Sequence, residues 1–93
     1  MHQYELVVII HPDMDDEAIE QALDRIKGWI TTGGGTIDKL EKWGKRRMSY
    51  EIQKQNEGIY YILDVSMPTT LISELERNLM LLETVMRHMI VAK

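Results

Sequence analysis

The side chains of this chain best suited to chemistry lie together in Trp43-Gly44-Lys45-Arg46-Arg47-Met48-Ser49-Tyr50-Glu51-Ile52. Lys42, Lys45, Arg46 and Arg47 put four of the eleven lysines and arginines into six consecutive residues. Trp43 and Tyr50 flank them. Guanidinium groups fork onto phosphate oxygens, and aromatic faces stack on bases or on arginine. Such a patch is a candidate nucleic-acid contact. On charge alone, a solvated turn between two strands is the better explanation. In a regular strand, neighbours point to opposite faces, so the four cations share one surface only if Gly44 bends the chain. Lys45 and Arg46, beside that bend, are the favoured nucleic-acid contacts. Arg47 has an alternative as a paired residue near Glu41 or Glu51. Trp43 and Tyr50 read as sheet packing before base-stacking platforms.

The remaining reactive residues form no recognisable site. His2, His11 and His88 do not pair at ligand spacing, and no thiolate is available because cysteine is absent. No metal or cofactor is expected. Asp13, Asp15, Asp16 and Glu17 lack the spaced ligands and internal glycine of a calcium loop, and helix capping accounts for them. Gly33-Gly34-Gly35 follows a helical segment, where a phosphate cradle would precede one. A phosphate site after the first strand would want glycines and an arginine, and His11-Pro12-Asp13 stands there. No nucleophile has a base partner, so an enzyme is the weakest class.

Length and composition set the frame. Ninety-three residues, 44% hydrophobic and 28% charged, make one domain over 1–93 with one core. The formal charge is −4, so any polyanion contact must be local or shared with a basic partner. No apolar run reaches membrane-span length and no leader pattern is visible, which makes a cytoplasmic location the expectation. Phenylalanine is absent and methionine occurs seven times, so flexible thioethers fill gaps in the core.

The elements follow from periodicity. Tyr4 to Ile10 is a strand with Leu6, Val8 and Ile10 on one face and Val7 and Ile9 on the other. Pro12 stops it, and Asp13 is the expected N-cap of a helix from about residue 15 to about residue 32. Ile19, Ala22, Leu23, Ile26 and Ile30 form that helix's buried stripe. The three glycines end it. Thr36 to Trp43 and Lys45 to Gln53 read as one long strand with a bulge at Gly44. Asn56-Glu57-Gly58 is the expected hairpin turn. Ile59 to Met67 is the next strand. Pro68 suits the first turn of a second helix with Leu71, Ile72, Leu75, Leu79 and Leu82 on its stripe. Val85 to Val91 closes the chain as a strand. The order βαββαβ predicts an α+β, ferredoxin-like domain: a four-stranded antiparallel sheet with both helices on one face. Val7, Ile9 and Ile62 then fall on the open face and are candidate partner-binding residues.

Those residues together resemble the ribosomal protein S6 family of the bacterial small subunit. The resemblance starts at Tyr4-Glu5, the apolar strand, His11-Pro12 and the acidic helix start. It continues through Ile37, Leu40, the W-G-x-R-R-x-x-Y-x-I run from Trp43 to Ile52, and Lys54. It ends with Met67-Pro68, Glu74-Leu75-Glu76, Val85, Arg87 and Ile90-Val91. The chain departs from the family at Glu51, often proline there, and near Met80, often arginine. The resemblance implies a non-enzymatic, RNA-binding protein of the translation machinery. It implies binding to the central domain of small-subunit ribosomal RNA together with a small basic protein of the S18 family. The reading from a different class is a ferredoxin-like module that dimerises through its sheet or binds a small regulatory ligand.

Overall fold

The computed structural model describes the backbone of residues 1–52 and 55–93, and side chains outside 47–56. The elements run β1 (His2–Ile10), α1 (Asp16–Thr32), β2 (Thr36–Ile52), β3 (Gln55–Met67), a 3-10 turn (Thr69–Leu71), α2 (Ile72–Leu81) and β4 (Val85–Ala92). The antiparallel sheet has the order β2-β3-β1-β4. This is the expected ferredoxin-like arrangement.

The core lies between one sheet face and the two helices. Leu6, Val8 and Ile10 of β1 meet Tyr61, Leu63, Val65 and Met67 of β3 there. Ile19, Ile26 and Ile30 of α1 and Leu75 and Leu79 of α2 cover them. Burying each large aliphatic side chain contributes about 1.5–3 kcal/mol. The helical stripes therefore dock both helices on the same side of the sheet.

Helix α1 begins two residues later than an Asp13 cap implies. The Met14 N–H donates to the His11 carbonyl at 3.2 Å, so Pro12 and Asp13 belong to a turn. Asp15 is the cap, accepting from the Ala18 N–H at 2.8 Å. Asp16 and Glu17 occupy the first turn, where the exposed N–H groups favour negative charge. At the other end Gly33 caps the helix with negative φ, and Gly34 adopts φ +92°. Pro68 precedes the second helical segment instead of lying in its first turn. It is extended, and its carbonyl accepts from the Leu71 N–H at 3.1 Å.

The expected hairpin turn is also displaced. Ile52 pairs with Gln55, and Arg46 pairs with Gly58, so Asn56, Glu57 and Gly58 lie within β3. Gly58 is glycine for a packing reason. A Cβ there would collide with Cγ2 of Ile9.

Candidate nucleic-acid interface

Strands β2 and β3 outrun the rest of the sheet. β1 pairs with β3 only from Ile59 to Met67, whereas β2 follows β3 as far as Ile52 opposite Gln55. The residues from Arg46 onward thus belong to a two-stranded arm, and Lys45, opposite Ile59, lies at its base. Lys42, Lys45 and Arg46 are all exposed.

The register shift between Lys42 and Gly44 decides how these cations are arranged. Gly44 has φ +84°, a left-handed conformation that L side chains adopt at a cost. The extra residue changes the phase of the strand. Lys42 lies opposite Tyr61 and Lys45 opposite Ile59, and both partners pack toward the helices. Arg46 lies opposite Gly58, on the other face. A regular strand would put Lys42 with Arg46 and Lys45 alone. The bulge instead groups Lys42 with Lys45 and separates Arg46. The side chain of Arg47, like that of Tyr50, lies outside the described residues.

Trp43, expected to pack within the sheet, is the bulged residue and is 50% exposed. Its indole N–H donates to Glu41 Oε2 at 3.4 Å. Glu41 pairs with Ile62, so Trp43 sits on the face away from the helices. Tyr4 is buried in the core, as its position in β1 predicts.

That open face also holds Val7, Ile9 and Ile62. Val7 pairs with Ile62, and Ile9 with Tyr60. None of the three belongs to the cluster under the helices. Val7 is half-buried, while Ile9 and Ile62 are only 8% and 6% exposed. Besides Trp43, the large apolar side chains that project from this face among the described residues are Met89 and Val91 of β4, opposite Val7 and Glu5. The sequence reading passed over both. The alternation Arg87, Met89, Val91 was their signal, but an edge strand with apolar residues on both faces gives no preferred side.

Polar groups gather at the end of the face remote from the arm. Ser66 Oγ donates to Asp38 Oδ2 at 2.6 Å. The Lys93 ammonium contacts Asp64 Oδ1 at 2.9 Å, and its backbone N–H donates to the Gln3 carbonyl at 3.0 Å. The hydrogen bond to Asp64, with the fields of Asp64, Glu5 and Asp38, raises the Lys93 pKa above its ordinary value.

Among the described residues, no group of three or more His, Cys, Asp or Glu side chains could hold a metal ion. No helix among them is long and apolar enough to cross a membrane. Among the described residues the geometry offers surfaces, a cationic arm and an apolar sheet face, and no convergent set of reactive groups.

A ferredoxin-like sandwich with an extended basic hairpin and an uncovered sheet face belongs to the class of small binding proteins. The comparisons narrow the class. Residues 3–92 match the family described as ribosomal protein S6. Small ribosomal subunit protein bS6 of Paenarthrobacter aurescens is 43% identical over 91 residues, covering 98% of this chain and 90% of that protein. The bS6 protein of Clostridium kluyveri is 42% identical, covering 98% and 96%. The crystal structure of 30S ribosomal protein S6 from Thermotoga maritima superposes with a TM-score of 0.92 at 31% identity, covering 99% of this chain and 87% of that one. The C-terminal domain of MgtC from Mycobacterium tuberculosis shares the fold, with a TM-score of 0.69 at 14% identity. The chain belongs to the ribosomal protein S6 family. It is a structural protein of the small ribosomal subunit and not an enzyme.

Proposed function

We propose that this protein binds the central domain of small-subunit ribosomal RNA through its β2–β3 arm, cooperatively with a small basic protein of the S18 family. Lys42, Lys45, Arg46 and Arg47 are the RNA-binding residues. Val7, Ile9 and Ile62 belong to the partner-binding face. The observation that carries the reading is the arm. It extends past β1 from Arg46 onward, with exposed Lys42 and Lys45 at its base, on a chain whose formal charge is −4. The rest of the molecule repels phosphate, so a basic partner must supply much of the neutralisation. Because the bulge separates Lys42 and Lys45 from Arg46, the arm and its base contact backbone phosphates from both sides.

Filter binding to the RNA at several salt concentrations tests this. The chain alone should bind weakly, and the partner should tighten binding by orders of magnitude. Lys45→Ala and Arg46→Ala should each lower the salt slope, by up to about 0.9 per lost phosphate contact on the duplex-DNA scale. Unchanged affinity and slope in both variants would remove the arm from the RNA interface. Tight binding without the partner would refute the shared-charge argument.

A further inference from the structure

The two edges of the sheet meet solvent differently. β2 is guarded: its register with β3 shifts before Lys39 and before Gly44, and Lys39, Glu41, Lys42, Lys45 and Arg46 stand exposed along it. Bulges and charges of this kind keep an edge from pairing with another chain. β4 has Arg87 as its one fixed charge, and its register with β1 shifts only near its start, at Met86. From Arg87 to Ala92 the ladder is regular. The Lys93 N–H donates to the Gln3 carbonyl, so Arg87, Met89 and Val91 turn their backbone groups toward β1, and His88, Ile90 and Ala92 turn theirs outward. Among the described residues no strand lies beyond them. Met89 and Val91 are exposed on one side of this edge, 47% and 44%. On the helix side a cleft lined by Leu79, Met80 and His88 flanks it, and Met80 is exposed as well.

We propose that β4 pairs with β4 of a second copy, antiparallel about a two-fold axis at Met89. A two-fold contact requires that the strand suit itself. An axis at Arg87 would set that residue against its own counterpart. An axis at Ile90 would set Arg87 against Lys93, and like charges directly opposite are destabilising. An axis at His88 would carry Ile90 onto the irregularity at Met86. The Met89 axis avoids all three. Arg87 then lies opposite Val91, and His88 opposite Ile90. Met89 and Val91 of the two copies cover one another, and Ile90 of the second copy enters the cleft beside Met80. Lys93 of each copy reaches the Glu83 end of the other, so the outermost charges attract. The contact is small, which makes the dimer a transient one. The arm lies at the opposite edge, so RNA binding and this pairing are independent.

Sedimentation velocity of the full chain, from micromolar to millimolar concentration, should show the mean mass rising from one copy toward two. Met89→Lys puts two ammonium groups at the axis and should weaken association by at least about tenfold. The chain has no cysteine, so engineered disulfides report the register cleanly. In Met89→Cys the two thiols lie directly opposed, with Cα atoms about 4.5 Å apart, and mild oxidation should link the copies. In Val91→Cys the thiol is similarly exposed on the same face but about 13 Å from its counterpart, and linkage should be at least about tenfold slower. Thermal melts control for the fold. A mass that stays at one copy up to millimolar concentration overturns the proposal. Equal linkage of the two cysteine variants, the signature of random encounter, overturns it as well. So does a mass curve unchanged by Met89→Lys, which would place the contact on another surface.

Discussion

Gly58 of β3 lies directly against Ile9 of β1, so closely that a β-carbon at position 58 would overlap Cγ2 of the isoleucine. The Ile10 carbonyl oxygen closes the same space at 3.6 Å. Gly58→Ala should therefore destabilise the fold by about 1–3 kcal/mol through overpacking. Ile9→Val removes part of the obstruction, and the double variant should recover some of the loss. Urea melts of the two single variants and the pair measure the coupling. Strict additivity would show that the two residues do not compete for space.

Gly44 presents the opposite case. Nothing lies within 4 Å of where its Cβ would be, yet its φ is +84°. Gly44→Ala should cost about 1–2 kcal/mol from backbone strain alone. Gly44→Asn should cost less, because asparagine tolerates the left-handed region. Equal losses in thermal melts would mean that the bulge does not require this conformation.

The two aspartates before α1 should differ sharply. Asp15 caps the helix, so Asp15→Ala should lose about 0.5–2 kcal/mol. Asp13 lies in the preceding turn, and Asp13→Ala should change stability by about 0.5 kcal/mol or less. Chemical denaturation of the pair decides between them, and a larger loss at Asp13 would place the helix start earlier.

Lys93 makes the alkaline side of the stability profile testable. Its pKa is raised in the folded chain, first by the hydrogen bond from its ammonium to Asp64. A raised folded pKa stabilises the fold wherever the lysine is charged in both states, below the ordinary 10.5. That contribution disappears as pH rises through the folded value. Lys93→Met should therefore lie below the wild type by a constant margin from neutral pH to about 9, and the two curves should converge above the ordinary lysine range. NMR titration of the Lys93 ammonium should end above 10.5. A midpoint at or below that value would show that Asp64 does not hold the ammonium in solution.

Much of the architecture is local in origin and was legible from the chain. The stripe Ile19, Ala22, Leu23, Ile26, Ile30 is a helical period, and all five residues are buried in α1. The alternation of Tyr61, Leu63, Val65 and Met67 sets the core face of β3, and those residues lie under the helices. The order of elements then leaves few topologies, and the ferredoxin-like sheet is the one observed. Gly44 announced the bulge because a glycine inside a strand has few other uses.

Tertiary contact decided what local pattern left open. Asn56-Glu57-Gly58 has turn composition, yet it lies in β3, and Gly58 is needed because Ile9 packs across it from another strand. Nothing near position 58 in sequence records that neighbour. The arrangement of the arm cations depends on a one-residue phase change. Lys42 and Lys45, three positions apart, come to the same side only because Trp43 is bulged out. The polar end of the open face joins Glu5 of β1, Asp38 and Lys39 of β2, Asp64 of β3 and Lys93. Residues so distant in sequence meet through strand register, which is set by the whole sheet and the core beneath it. The sequence by itself determined the elements and their buried stripes, because period and capping act within a few residues. Which charges share a surface was decided only when the strands were paired.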